Sequence, residues 1–117
     1  MTAAVRCFAY SGIRAVTWAS NNQLATNGVF VFAEPPLACQ AITASGSAQS
    51  TTTALSPAGV SVLRVEVQKG SVVHYRVSNA NGTPTAATTN DATLEGKDSI
   101  DWGPGYTISF ILAGNEA

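Results

Sequence analysis

The side chains of this chain that could do chemistry are few and widely spaced. The only histidine is His74, in the run Val72-Val73-His74-Tyr75-Arg76. A histidine acting as general base needs a nucleophile or a carboxylate within hydrogen-bond reach, and Glu66 is the one carboxylate that the local pattern brings near it. No serine sits in a nucleophile-elbow sequence, and no glycine-rich phosphate loop follows a strand. His74 therefore reads as part of a solvent-face charge ladder, and no catalytic residue is assigned. Glu95, Asp98 and Asp101 form the one acidic cluster. Calcium takes six or more oxygens at close spacing, and no alternating Asp/Asn loop supplies them. Cys7 and Cys39 each stand in an apolar neighbourhood, and with a single His they fall short of a structural zinc ligand set. They read as buried free thiols, with a disulfide between them left open. No metal or cofactor is assigned. Trp18, Trp102 and Tyr106 could line an aromatic platform for sugars, although such residues more often anchor a core or an interface.

The elements that must position these residues are strands. Leu63, Val65 and Val67 are apolar between polar Arg64, Glu66 and Gln68. After Lys69-Gly70-Ser71 the alternation resumes with Val73, Tyr75 and Val77 against His74 and Arg76. Period-2 alternation on both sides of a Gly-containing break predicts a β-hairpin, with Gly70 at the φ > 0 position. Its register would set Val67 opposite Val73, Val65 opposite Tyr75 and Leu63 opposite Val77, with Glu66 facing His74. Residues 4–10 and 13–19 read as two short strands around a Ser11-Gly12 turn, with Arg6 and Arg14 on or near the same hairpin. Asn27-Gly28 is a turn signal. Val29-Phe30-Val31-Phe32 forms a compact apolar strand stopped by Pro35-Pro36, and 37–44 is a weaker strand for which an Ala-rich helix competes. Segments 92–95, 99–102 and 106–112 close the chain, the last alternating Ile108, Phe110 and Leu112 against Thr107, Ser109 and Ile111. The count predicts an all-β fold, a single-domain antiparallel sandwich or barrel of about eight short strands over residues 1–117.

Residues 45–59, SGSAQSTTTALSPAG, show no periodicity. Fifteen structureless residues are uncommon inside a compact domain, so this loop is expected to be mobile or ordered by a neighbouring chain. A third possibility is an edge strand over 49–55, to which the Thr run is suited.

Charged residues make up 11% of the chain, against the usual ~25%. A net charge of -1 with no basic cluster offers no electrostatic footprint for nucleic acid. Apolar runs fall far short of the ~20 residues that span a bilayer, and the first residues lack the apolar block of a secretory signal. The expectation is a protein made in a cytoplasm with no nucleic-acid or membrane partner. A weakly charged surface favours association over repulsion, which suits an assembly subunit.

The C-terminal half, from Leu63 to Leu112, resembles a family of small tailed-bacteriophage virion proteins. The residues that carry the resemblance are Val72-Val73-His74-Tyr75-Arg76, the turn Asn81-Gly82-Thr83-Pro84-Thr85, the step Leu94-Glu95-Gly96, the acidic turn from Asp98 to Asp101, and Phe110-Ile111 in the closing strand. Asn81 stands where that family tends to have aspartate, and His74-Tyr75 where it has tryptophan-arginine. The resemblance implies a β-rich structural component of a phage particle. Head decoration (cement) is the preferred role, with a tail or neck component as the alternative. It also implies the major capsid protein and further copies of the chain, often a homotrimer, as partners, and the virion surface as location. A carbohydrate-binding module and a small hydrolase are the competing classes. On the decoration reading, the candidate shell or subunit contacts are Gln49, Thr51, Thr52, Thr53, Leu55, Trp18, Trp102 and Tyr106.

Overall fold

A computed structural model describes residues 2–16, 29–79 and 83–113. Ten strands are present among them: β1 (Ala3–Tyr10), β2 (Ile13–Val16), β3 (Val29–Phe32), β4 (Ala38–Ala44), β5 (Gln49–Ser50), β6 (Val62–Val67), β7 (Val72–Ser78), β8 (Thr93–Glu95), β9 (Lys97–Asp101) and β10 (Thr107–Leu112), with one 3-10 turn at Thr53–Leu55. They build two four-stranded sheets, ordered β4-β1-β6-β9 and β5-β10-β7-β8, and a two-stranded ribbon β2-β3. Every pairing is antiparallel. The chain is a β-sandwich, as the strand count predicts, and 38–44 is a strand rather than a helix.

The core lies between the sheets and is filled by the alternating apolar residues. Val5, Cys7, Leu63, Val65, Val73, Ile108 and Phe110 are all fully buried. The predicted inward faces of β6 and β10 are the observed ones. Strand partners differ. β6 and β7 do not form a hairpin: β6 lies between β1 and β9, and β7 between β10 and β8. Val65 pairs with Cys7 and Asp98, and Tyr75 with Phe110. The short break at Lys69-Gly70 carries the chain from one sheet to the other, with Gly70 at φ 84° and Ser71 N–H donating to the Gln68 carbonyl. Alternation identifies a buried face equally well for two neighbours in one sheet and for two strands facing each other across ~10 Å of core. Here β1 and β10, both longer-range partners, take the main-chain bonds.

The Ser11-Gly12 turn is likewise no hairpin. β1 pairs with β4, while β2, beyond the bend, pairs with β3. The two successive pairings make one long antiparallel ladder that leaves the sandwich as the β2-β3 ribbon. Ala33 N–H donates to the Gly12 carbonyl at its foot, and Leu37 N–H to the Ala9 carbonyl.

Within segment 45–59 the structure follows the third possibility, an edge strand, over two residues of the expected 49–55. Gln49–Ser50 is a short edge strand on β10. Thr51 N–H donates to the Ile108 carbonyl, and Ile108 N–H donates back to Thr51 Oγ1 at 3.1 Å. Leu55 is fully buried in the core cluster. Composition hides this because one well-placed leucine and the reciprocal hydrogen bonds between Thr51 and Ile108, one of them to the Thr51 hydroxyl, hold the segment without a hydrophobic stripe.

Candidate functional site

The foot of the ribbon gathers aromatic and charged side chains on the outer face of the first sheet. Tyr10 ends β1 on the outer face of the first sheet, opposite Val62. Phe32 ends β3 and stacks on Tyr10, with ring centroids 4.7 Å apart and planes 27° from parallel. Arg64 lies on the same outer face of β6, its guanidinium 5.4 Å from the Phe32 ring centroid. The guanidinium also pairs with Glu66 at 3.1 Å, both side chains being about a quarter exposed. Burial first, then the nearby Glu34 charge, pushes the Tyr10 pKa up, with the Arg64 guanidinium acting in the opposite direction. A cleft of about 580 Å³ opens beside this stack, lined by Val31, Phe32, Glu34, Arg64, Lys97, Asp98 and Ser99.

Arg64 is shared between the cation–π contact with Phe32 and the ion pair with Glu66. Above the cleft the ribbon exposes apolar surface on both sides. Ile13 is 57% exposed and Val31 37%; Ile13 shares a face with its partner Phe32, and Val31, one residue away, points to the other. Leu37, at the ribbon's base, is 48% exposed.

The sequence-predicted contact residues separate into three groups. Gln49, Thr52 and Thr53 are exposed, and the Gln40 amide holds Thr52 through Nε2–H to Oγ1 at 2.6 Å and Thr52 N–H to Oε1 at 3.1 Å. Thr51, Leu55 and Trp102 are buried, Leu55 and Trp102 within the core cluster, so none of the three is a surface contact; Trp102 Nε1–H donates to the Leu55 carbonyl at 3.1 Å. Tyr106 is half-buried, edge-on to Trp102 at 5.6 Å. The indole thus faces the core and cannot stack on a sugar. Trp18, like the turn Asn81-Gly82, lies outside the described residues.

His74 is corrected too. It is 3% exposed, because segment 83–92 crosses the outer face of β7 and β10. Ala87 N–H donates to Ser109 Oγ at 2.9 Å, and His74 Nδ1 bonds the Asp91 carbonyl at 2.8 Å. Glu66, in the other sheet, is not its partner. Asp91 instead pairs with Arg76 at 2.8 Å; the Arg76 hydrogen bonds, helped by Thr88 N–H, hold its carboxyl below the usual range. Cys7 is buried and Cys39 exposed, both as free thiols, so the expectation of two buried thiols holds for one. Cys7 pairs with Gln40 and Cys39 with Phe8, on opposite faces of the sheet. Among the described residues, no group of three His, Cys, Asp or Glu side chains stands close enough to hold a metal, and no helix is long and apolar enough to cross a membrane.

The Tyr10–Phe32–Arg64 stack was not visible in the sequence, since it depends on β6 pairing with β1 and on the ribbon returning over both. The one sequence signal was Val29-Phe30-Val31-Phe32, apolar at every position, which a strand with one wet face would not be. Comparisons with protein-family models, curated proteins and solved structures find no match to the chain.

Proposed function

We propose that this chain is a structural component of a tailed-bacteriophage virion, a decoration (cement) protein that binds the outer surface of the head and bridges capsomers. The observation that carries the reading is the β2-β3 ribbon. It leaves a sandwich whose own core is complete, and it presents exposed Ile13 and Val31 on its two sides, with Leu37 beside them. A ribbon of this kind gains most from being covered by another chain. The resemblance of 63–112 to small phage virion proteins supplies the setting, and the low charge supports close packing among like subunits.

On this reading the partners are the major capsid protein and other copies of the chain, and the role is non-catalytic. Each contact is small, but many equivalent copies on one shell act together and raise the energy needed to rupture it. The ribbon and its foot are the shell-facing elements, replacing Leu55 and Trp102, which the core occupies. The exposed Gln49, Thr52 and Thr53 remain as a secondary contact. Co-sedimentation of purified chain with phage heads stripped of it tests the proposal. Saturable binding that Ile13→Asp with Val31→Asp abolishes, the fold being intact by circular dichroism, is the expected result. Binding to isolated tails and not to heads would move the chain to the tail or neck, and binding to neither would remove the virion role.

A further inference from the structure

A sandwich with two open sheets has four edges, and three of them are protected in this chain. β5 and β8, the edges of the second sheet, are two and three residues long. β9 carries Lys97, Asp98 and Asp101, and the main-chain groups it turns outward are partly occupied. Val67 N–H donates to the Gly96 carbonyl, so residues 96, 98 and 100 point their main-chain groups at β6 and Lys97, Ser99 and Asp101 point theirs out. The central outward amide, Ser99 N–H, is taken by Asp98 Oδ1 at 2.8 Å. Short strands and charged edges are the usual defences against unwanted pairing.

β4 has none of them. It is seven residues long, Ala-Cys-Gln-Ala-Ile-Thr-Ala, with no charge, no proline and no bulge in its seven-residue register with β1. The direction of its main-chain groups follows from β1. Gln68 N–H donates to the Ala4 carbonyl, so Ala4, Arg6, Phe8 and Tyr10 point theirs at β6, and Ala3, Val5, Cys7 and Ala9 point theirs at β4. Their partners Ala44, Ile42, Gln40 and Ala38 point back. The N–H and C=O groups of Cys39, Ala41 and Thr43 are left facing outward from the sheet, and all three residues are exposed.

We propose that this edge pairs antiparallel with the β4 edge of a second copy of the chain, about a two-fold axis through Ala41. The register sets Ala41 against Ala41, Cys39 against Thr43 and Gln40 against Ile42. Every outward-facing group then has a partner, in about six main-chain hydrogen bonds. The occupant is a second copy because the edge is its own complement: across the axis, small uncharged side chains meet on the outer face and no like charges oppose. The nearest charge, Arg6 beside Ala41 on β1, is separated from its symmetry mate by three strand spacings, ~15 Å, beyond the ~8–10 Å screening length. Seven residues a side is less than a standard interface of ~1,600 Å², so the dimer is concentration-dependent. The contact does not depend on the virion role. If the chain also forms three-fold clusters, they use other surfaces and β4 links them in pairs.

Amide hydrogen exchange against protein concentration is the test, with sedimentation velocity alongside. The amides of Cys39, Ala41 and Thr43 should gain protection together as dimer forms, whereas those of Gln40 and Ile42 are protected throughout. Ala41→Glu, at an exposed position, opposes two carboxylates across the axis and should weaken the dimer several-fold while leaving the thermal melt of the monomer unchanged. In a Cys39→Ser background, Ala41→Cys should oxidise to a cross-linked dimer, since hydrogen-bonded partners sit ~5.5 Å apart between Cα atoms, within disulfide range. Wild-type Cys39 should not cross-link, because four residues separate it from its mate along the pair. A chain that stays monomeric at all concentrations, a dimer indifferent to Ala41→Glu, or cross-linking through Cys39 instead of position 41 would each overturn the proposal.

Discussion

Leu55→Ala tests whether segment 45–59 belongs to the core. Leu55 is fully buried and its carbonyl receives Trp102 Nε1–H. Removing its three terminal carbons forfeits ~2.4 kcal/mol of transfer energy at ~0.8 kcal/mol per carbon. The space left between Trp102 and the sheets adds a cavity term, for a total of about 3–5 kcal/mol. Thr53→Ala, two residues away in the same 3-10 turn but exposed, should change stability by less than about 0.5 kcal/mol. Urea unfolding in a Trp18→Phe background, followed by Trp102 fluorescence, reads both. The larger loss should come with an unchanged m-value, since the same surface is exposed on unfolding. If Leu55→Ala costs no more than Thr53→Ala, the segment is not anchored by Leu55 and the packing described for it is wrong.

Other expectations follow from the same contacts. Val65→Asp places a carboxylate in the centre of the core between Cys7 and Asp98 and should abolish cooperative folding by circular dichroism. Glu66→Ala removes only a partly exposed pair with Arg64 and should cost less than about 1 kcal/mol in urea. A thiol reagent should modify Cys39 rapidly in the native protein and Cys7 only on unfolding, because burial pushes the Cys7 pKa up to about 12. Mass spectrometry counts the adducts, and a doubly modified native chain would contradict the packing. Asp91, whose pKa the Arg76 hydrogen bonds lower, stabilises the fold above its unfolded pKa, and that contribution is lost as pH falls through the folded one. Asp91→Asn should therefore lower Tm near neutral pH and converge with wild type in acid; a pH-independent difference would contradict the pairing.

The faces of the strands were legible from the chain and their partners were not. Leu63, Val65 and Val67 point inward as their alternation requires, but the same pattern fits a neighbour in the sheet and a strand across the core. Choice between these depended on β1 and β10, distant in sequence, and on a turn at Gly70 that serves either geometry. His74 looked solvent-facing because its neighbours alternate. It is buried by 83–92, a stretch of small residues whose hold rests on Asp91 and on Ala87 N–H meeting Ser109. Trp102 and Leu55 were visible as large side chains, yet no periodicity marks them as inward-facing; both pack into the core cluster, and the indole N–H meets the Leu55 carbonyl. Tyr10, Phe32 and Arg64 carry ordinary strand signals one by one, and only the folded ribbon brings them together.

The proposed virion role is tested most directly by cryo-electron microscopy of tailed-phage particles assembled in the presence of this chain. Density for the β-sandwich is expected on the outer surface of the head, at symmetry-related positions that bridge capsomers, with the β2-β3 ribbon against the capsid protein. Heads with no such density, together with mass spectrometry of purified particles that fails to find the chain, would contradict it.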